Sequence, residues 1–250
     1  MTDVLDGKIA LVTGASSGLG RAVSEILTRR GAQVFGVARG EEQLRQSMID
    51  VAGAVGEQRY SASDVSDSAQ CAAAVQKCVD TLGGIDILVN VAGSHTLRHT
   101  AEIADDEWAH DLAVNLNGPF FLSRAALPHL LERGGNIVNV SSIAGLEGQA
   151  YSAGYCSAKH GLIGLTRAMA MEFTGKTLRV NAICPGGMMT PQVTGFTFPD
   201  GVDFDLVMKV ASPRGLMEAE DVAKMVAFIA SDDASAIHGA VYSVDNGKMA

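Results

Sequence analysis

The sequence predicts an α/β fold: a single doubly wound domain over residues 1–250, with a seven-stranded parallel sheet and helices on both faces. Three observations predict it. Apolar runs of strand length alternate with helical stripes along the whole chain, and such alternation implies right-handed crossovers between parallel strands. The strand runs are continuously apolar, as strands covered on both faces must be. No linker, charge block or internal repeat interrupts the pattern, so a second domain finds no room.

Residues 8–13, Lys-Ile-Ala-Leu-Val-Thr, read as the first buried strand. A helix over 21–30 follows, with Ala22, Val23, Ile26 and Leu27 on one stripe and Gly31 as its stop. Residues 33–38 are the second strand, 41–52 the second helix and 59–62 a short third strand. The helix over 67–82 buries Cys71, Val75, Cys78, Val79 and Leu82. Residues 85–90 make the fourth strand, and 106–131 are helical with an interruption at Gly118-Pro119. The remaining strands are 136–141, 178–183 and 240–244; the remaining helices are 153–173 and 219–231.

Composition excludes several classes of protein. Lys and Arg number 19 against 28 Asp and Glu, a formal net charge of -9. A nucleic-acid binder that neutralises phosphates needs a basic face, so no nucleic-acid partner is expected. Hydrophobic residues at 47% and charged residues at 19% exclude disorder. No run reaches the ~18 apolar residues that span a bilayer, so no membrane partner is expected. The opening residues 1–8 carry neither a basic nor an apolar leader, so no secretory signal is expected. Cys71, Cys78, Cys156 and Cys184 form no Cys-x-x-Cys pair, which argues against a metal knuckle. On one helix Cys71 and Cys78 would stand ~10.5 Å apart, too far for a disulfide. Buried thiols in a reducing cytoplasm are the reading. Glycine is in excess, 28 residues of 250 against a usual ~7%. With 6 prolines and no low-complexity tract, the glycines must serve specific backbone positions.

The first such position joins the first strand to the first helix: Thr13-Gly14-Ala15-Ser16-Ser17-Gly18-Leu19-Gly20. The spacing is Gly-x-x-x-Gly-x-Gly. Gly14, Gly18 and Gly20 allow positive φ and close backbone approach. The helix N-terminus offers N–H groups and a positive dipole end to a pyrophosphate, and Ser16 and Ser17 add hydroxyls. A dinucleotide is the expected ligand. After the second strand an acidic residue would hold the ribose of NAD, whereas an arginine suits the 2′-phosphate of NADP. The sequence there is Val37-Ala38-Arg39-Gly40. Guanidinium matches phosphate geometry, so NADP(H) is favoured over NAD(H).

Tyr155 and Lys159, at i and i+4 on the long helix, share one face. A free tyrosine near pKa ~10 exchanges protons poorly at neutrality, and a neighbouring ammonium lowers that value. Reaching ~7 takes about 4 kcal/mol. Ser142 ends the fifth strand at the carboxyl edge, where ligands of such sheets bind, and its hydroxyl is placed to hold a substrate carbonyl. Asn115 lies mid-helix, where asparagine is a poor helix former, which points to a hydrogen-bonding role.

Together these residues resemble the short-chain dehydrogenase/reductases. The resemblance runs from Gly7-Lys8 to Asp245-Asn246-Gly247. Thr13 to Gly20, Leu19 included, resembles that family's cofactor loop. Asp64-Val65 is similar to its adenine-contacting pair. Asn90-Val91-Ala92-Gly93 is similar to its Asn-Asn-Ala-Gly signature, with Val91 in place of one asparagine. Asn115, Ser142, Tyr155 and Lys159 match its catalytic tetrad in order and spacing. Pro185-Gly186, followed by Met188 and Thr190, resembles the segment that meets the nicotinamide; the doubled Gly187 is a small departure.

The resemblance implies a Rossmann-type domain and reversible hydride transfer between a carbonyl and a secondary alcohol. Tyr155 would then be the acid, Ser142 would orient the carbonyl, and Lys159 would lower the tyrosine pKa and bind ribose. Asn115 would hold a water leading to solvent. It also implies a small-molecule substrate and a homo-oligomer, dimer or tetramer, while the thiols keep a cytoplasmic location as the expectation. The alternative is a dinucleotide-binding sensor or scaffold without turnover, against which the intact tetrad argues. Residues 188–212 form the expected substrate lid, apolar through Met188, Val193, Phe196 and Phe204, with Gly195 and Gly201 as hinges. That content suggests an apolar or amphipathic substrate. Residues 94–97, His95 among them, and 143–151 are further candidate walls.

Overall fold

A computed structural model describes residues 4–250. Residues 1–3, on which the leader reading partly rests, lie outside the described residues. The strands are β1 (Ile9–Thr13), β2 (Gln33–Ala38), β3 (Tyr60–Ala62), β4 (Ile87–Asn90), β5 (Asn136–Val140), β6 (Arg179–Pro185) and β7 (Val241–Val244). They form one sheet in the order β3-β2-β1-β4-β5-β6-β7, and each neighbouring pair is parallel. The helices are α1 (Gly18–Arg29), α2 (Glu41–Ala52), α3 (Ser68–Leu82), α4 (Asp105–Leu112), α5 (Gly118–Arg133) and α6 (Ala153–Glu172). Two short ones, α7 (Pro191–Thr194) and α8 (Phe204–Met208), precede α9 (Ala219–Ala230).

Side chains of a strand alternate between faces. Ala10, Val12, Val34, Val89 and Val138 pack with α1, α2 and α9. Ile9, Leu11, Phe35, Leu88 and Ile137 pack with α3, α5 and α6. Both faces are therefore apolar, which is why the strand runs carry no polar alternation. At the amino edge of the sheet, buried Asp86 accepts the Ile9 N–H at 2.8 Å and Arg133 Nε and Nη2 at 2.9 and 3.1 Å. This ties β1, β4 and α5 together at the end opposite the carboxyl edge.

Most boundaries fall within two residues of the sequence expectation, and two differ by more. Helix α1 begins at Gly18, ahead of the apolar stripe; Gly18 itself enters with φ +51°, a conformation that glycine adopts without strain. The break expected at Gly118-Pro119 is felt one turn earlier, as a π-turn over Ala113–Asn117. Pro119 has no N–H to give the Asn115 carbonyl, so the regular α pattern fails there. From β1 the sheet grows one way through β2 and the other way through β4. A crevice opens outside the carboxyl ends at that switch point.

Candidate active site

Thr13 closes β1 with an Oγ1 that accepts the N–H groups of Val91 and Ala92, both at 2.9 Å. The turns after β1 and β4 are thereby joined. Gly14 has φ +69°, and a Cβ on it would press on the Ala92 backbone at 3.3 Å. A Cβ on Gly20 would run into the Gly14 carbonyl. Ser17, ahead of α1, makes no capping hydrogen bond, so the first-turn N–H groups keep no side-chain partner. The tight glycine turn and this uncapped helix end fit a pyrophosphate. Gly14, Ser17, Gly18, Leu19 and Gly20 line a cleft of about 630 Å³; Ser16 lies beside it.

Ser142, Tyr155 and Lys159 line the same cleft. Ser142 Oγ accepts the Ala144 N–H at 3.1 Å, which leaves its own O–H free to donate. Lys159 is buried beneath; its Nζ donates to the Val140 carbonyl at 2.9 Å and lies 5.6 Å from the Tyr155 ring centroid. Burial pulls the Lys159 pKa down to about 8. Tyr155 is half-buried by its neighbours, and that burial pushes its phenol up to about 12, with the Ser142 hydroxyl pulling the other way. From sequence, the Lys159 ammonium is expected to lower the phenol; among the influences on the phenol here burial leads, and the Ser142 hydroxyl opposes it.

Asn115 is fully buried behind Gly93, outside the cleft wall. Its Oδ1 accepts the Ser94 N–H at 3.2 Å, and its Nδ2 donates to the carbonyls of Ser94 and Asp111 at 2.9 and 3.0 Å. A Cβ on Gly93 would lie 2.9 Å from Asn115 Oδ1 and 3.6 Å from Lys159 Nζ, so glycine keeps those two groups close.

The other sequence candidates divide. Ala92, Gly93, Pro185, Gly186, Met188 and Thr190 border the cleft. Arg39 and Asp64 stand outside its wall. Arg39 is exposed after β2. Hydrogen bonding from the Ser66 backbone, and more weakly the Arg39 charge, hold the Asp64 carboxyl below the ordinary range. Val65 turns its side chain into the core. Asn90 is engaged by the fold, donating to Asn139 Oδ1 at 2.8 Å and Ser123 Oγ at 3.4 Å. Neither Val65 nor Asn90 presents a side chain to the cleft. The four cysteines are free thiols; Cys71, Cys78 and Cys184 are buried.

Within the candidate walls, His95, Leu97, Ile143, Gln149 and Phe196 line the cleft. The His95 ring is stacked on Tyr155 with centroids 4.0 Å apart. No sequence signal separates such a histidine from one in solvent, because the path of the loop after β4 has no period to read.

Comparison with known proteins agrees with this geometry. A family model described as Enoyl-(Acyl carrier protein) reductase matches residues 14–248. Meso-2,3-butanediol dehydrogenase of Serratia marcescens is 36% identical over 247 residues, covering 98% of this chain and 96% of that protein. A 3-oxoacyl-(acyl-carrier-protein) reductase of Thermotoga maritima is 33% identical, with 98% and 99% covered. The crystal structure of the 3-ketoacyl-(acyl-carrier-protein) reductase from Brucella melitensis complexed with NADH superposes with a TM-score of 0.89 at 29% identity, covering 98% of this chain and 100% of that one. The chain belongs to the short-chain dehydrogenase/reductase family, which makes it an oxidoreductase of the dinucleotide-dependent kind.

Proposed function

We propose that the protein interconverts a carbonyl and a secondary alcohol, with Tyr155 as general acid and base. The observation that carries this reading is the meeting of Ser142, Tyr155 and Lys159 in one cleft with the uncapped glycine turn. A bound nicotinamide dinucleotide supplies or accepts the hydride at the carbonyl carbon. The Ser142 hydroxyl donates to the carbonyl oxygen and stabilises its developing charge. Tyr155 delivers its proton to the same oxygen. A phenol held near 12 keeps that proton until substrate arrives, the state reduction requires. In the oxidative direction Lys159 is the nearby positive charge that favours the phenolate.

NADP(H) is proposed over NAD(H) on Arg39, which is exposed at the end of β2 and suits a 2′-phosphate. The kcat/KM for NADPH should exceed that for NADH, and Arg39→Ala should cut the preference by about tenfold. A clear NADH preference in the unmodified protein would contradict this. We also propose one catalytic domain over 1–250, with 188–212 acting as its substrate lid. A cytoplasmic homo-oligomer, dimer or tetramer, completes the reading. Among the described residues no helix is long and apolar enough to cross a membrane. Consumption of NADPH and NADH across ketones, 3-oxoacyl thioesters, steroids and sugars tests the activity. Turnover of none of them with either cofactor would leave the binder reading.

A further inference from the structure

Among the polar side chains of the cleft to which the carbonyl-reducing reading gives no task, His95 is the one packed directly on Tyr155. His95 lies over Tyr155, their planes within 12°. Its Nε2 is 2.8 Å from Ser152 Oγ. Ser152 Oγ donates its single proton to the Ala150 carbonyl at 3.2 Å. We assign the ring the Nε2–H tautomer on this arrangement, in which Ser152 Oγ, its proton on Ala150, accepts from Nε2. Nδ1 is then a bare acceptor, and it has no hydrogen-bond partner among the described residues. Burial, aided by the charges of Lys159 and Arg98, holds the ring neutral with a pKa down to about 4. Leu97, Ile143 and Val193 are among the apolar residues that line the cleft, and the Phe196 ring meets His95 edge-on at 5.0 Å. A neutral acceptor in such surroundings, one ring thickness from the phenol, favours a ligand that brings it a donor.

We infer that His95 Nδ1 accepts a hydrogen bond from a hydroxyl on the carbon next to the reacting one, so that the preferred substrates are α-hydroxyketones and the vicinal diols they yield. The inference rests on the carbonyl-reducing reading. In reduction the carbonyl carbon gains the hydride and its oxygen gains the Tyr155 proton, while the neighbouring hydroxyl is unchanged. His95 thereby selects substrate, and its ring also orients Tyr155.

The test compares kcat/KM for an α-hydroxyketone, the ketone lacking that hydroxyl and the matching α-diketone, all on one carbon skeleton. The unmodified protein should favour the hydroxyketone over the plain ketone by about tenfold, the increment of one buried hydrogen bond. His95→Phe keeps an aromatic ring against Tyr155 and should bring that ratio close to unity. His95→Asn, which retains an acceptor, should restore part of it. A ratio unmoved by His95→Phe would overturn the inference, because the ring would then serve packing alone. So would a preference of the unmodified protein for the diketone, which would place the proton on Nδ1. Turnover of all compounds without a hydroxyketone preference would sink the His95 inference and leave the carbonyl-reducing reading intact. Turnover of none, with NADPH or NADH, would overturn both.

Discussion

Lys159 is 3% exposed and makes one hydrogen bond, to Val140. Burial lowers its pKa from 10.5 to about 8. The unfolded chain therefore holds this proton more tightly than the folded one. The charge opposes folding at every pH below about 8, and the opposition fades as pH rises from there toward 10.5. At neutrality it amounts to about 3 kcal/mol. Lys159→Met keeps the stem, removes the charge and strands the Val140 carbonyl at a cost of about 1 kcal/mol. The variant should have a higher Tm than its parent at neutral pH, a gap that closes toward alkaline pH, while turnover is lost. Thermal unfolding followed across that pH range checks this; a variant less stable at neutrality would contradict it. Ser142, Tyr155 and Lys159 were legible in the sequence because chemistry fixes their spacing, one helical turn and one strand end. His95 was legible only as a pocket wall, since its stack on Tyr155 depends on a loop path that no local pattern encodes.

Among the elements, the segment 188–212 gains its order from its anchors. Its base is clamped by an isolated bridge, with Met189 N–H donating to Met217 at 2.9 Å and Met217 N–H to Gly187 at 3.0 Å. Helices as short as α7 and α8 have little stability of their own. Two contacts hold the segment over the cleft. The Asp203 N–H donates to the Tyr151 hydroxyl at 2.8 Å, and His99 Nε2 donates to the Asp200 carbonyl at 2.8 Å. Tyr151 itself has φ +62°, a conformation that costs a non-glycine residue about 1–2 kcal/mol. The Arg98 N–H on the Tyr151 carbonyl at 2.8 Å and the Asp203 contact hold it there. Tyr151→Phe removes one hydrogen bond, about 1 kcal/mol. Amide exchange over 196–208 should accelerate about fivefold, and KM should rise. Unchanged exchange in that segment would contradict its role as a latch. The strands and long helices could be read because double burial and amphipathic stripes leave periods in the sequence. Helices α7 and α8 could not, because 188–212 is apolar without a period. The π-turn at Asn115 was displaced from its visible cause, Pro119, by the reach of a helical hydrogen bond.

For the molecule as a whole, the net charge of -9 says little about the site, where Lys159 carries a local positive charge. The alternation of elements specifies a parallel sheet covered on both sides, but leaves the order of its strands open. That order matters, because the reversal between β1 and β4 is what brings the glycine turn, the Val91–Ala92 turn and the Tyr155 helix to one crevice. Part of the excess glycine belongs to the same crevice: Gly14, Gly20 and Gly93 stand where a Cβ would meet backbone or a site group. The central claim is that this crevice moves a proton through Tyr155 while a hydride reaches the carbonyl carbon. Single-turnover hydride transfer from NADPH to a carbonyl substrate, compared between the unmodified protein and Tyr155→Phe, tests it most directly. The account predicts that the variant still binds NADPH but transfers hydride about a thousandfold more slowly. Hydride transfer at the unmodified rate would contradict it.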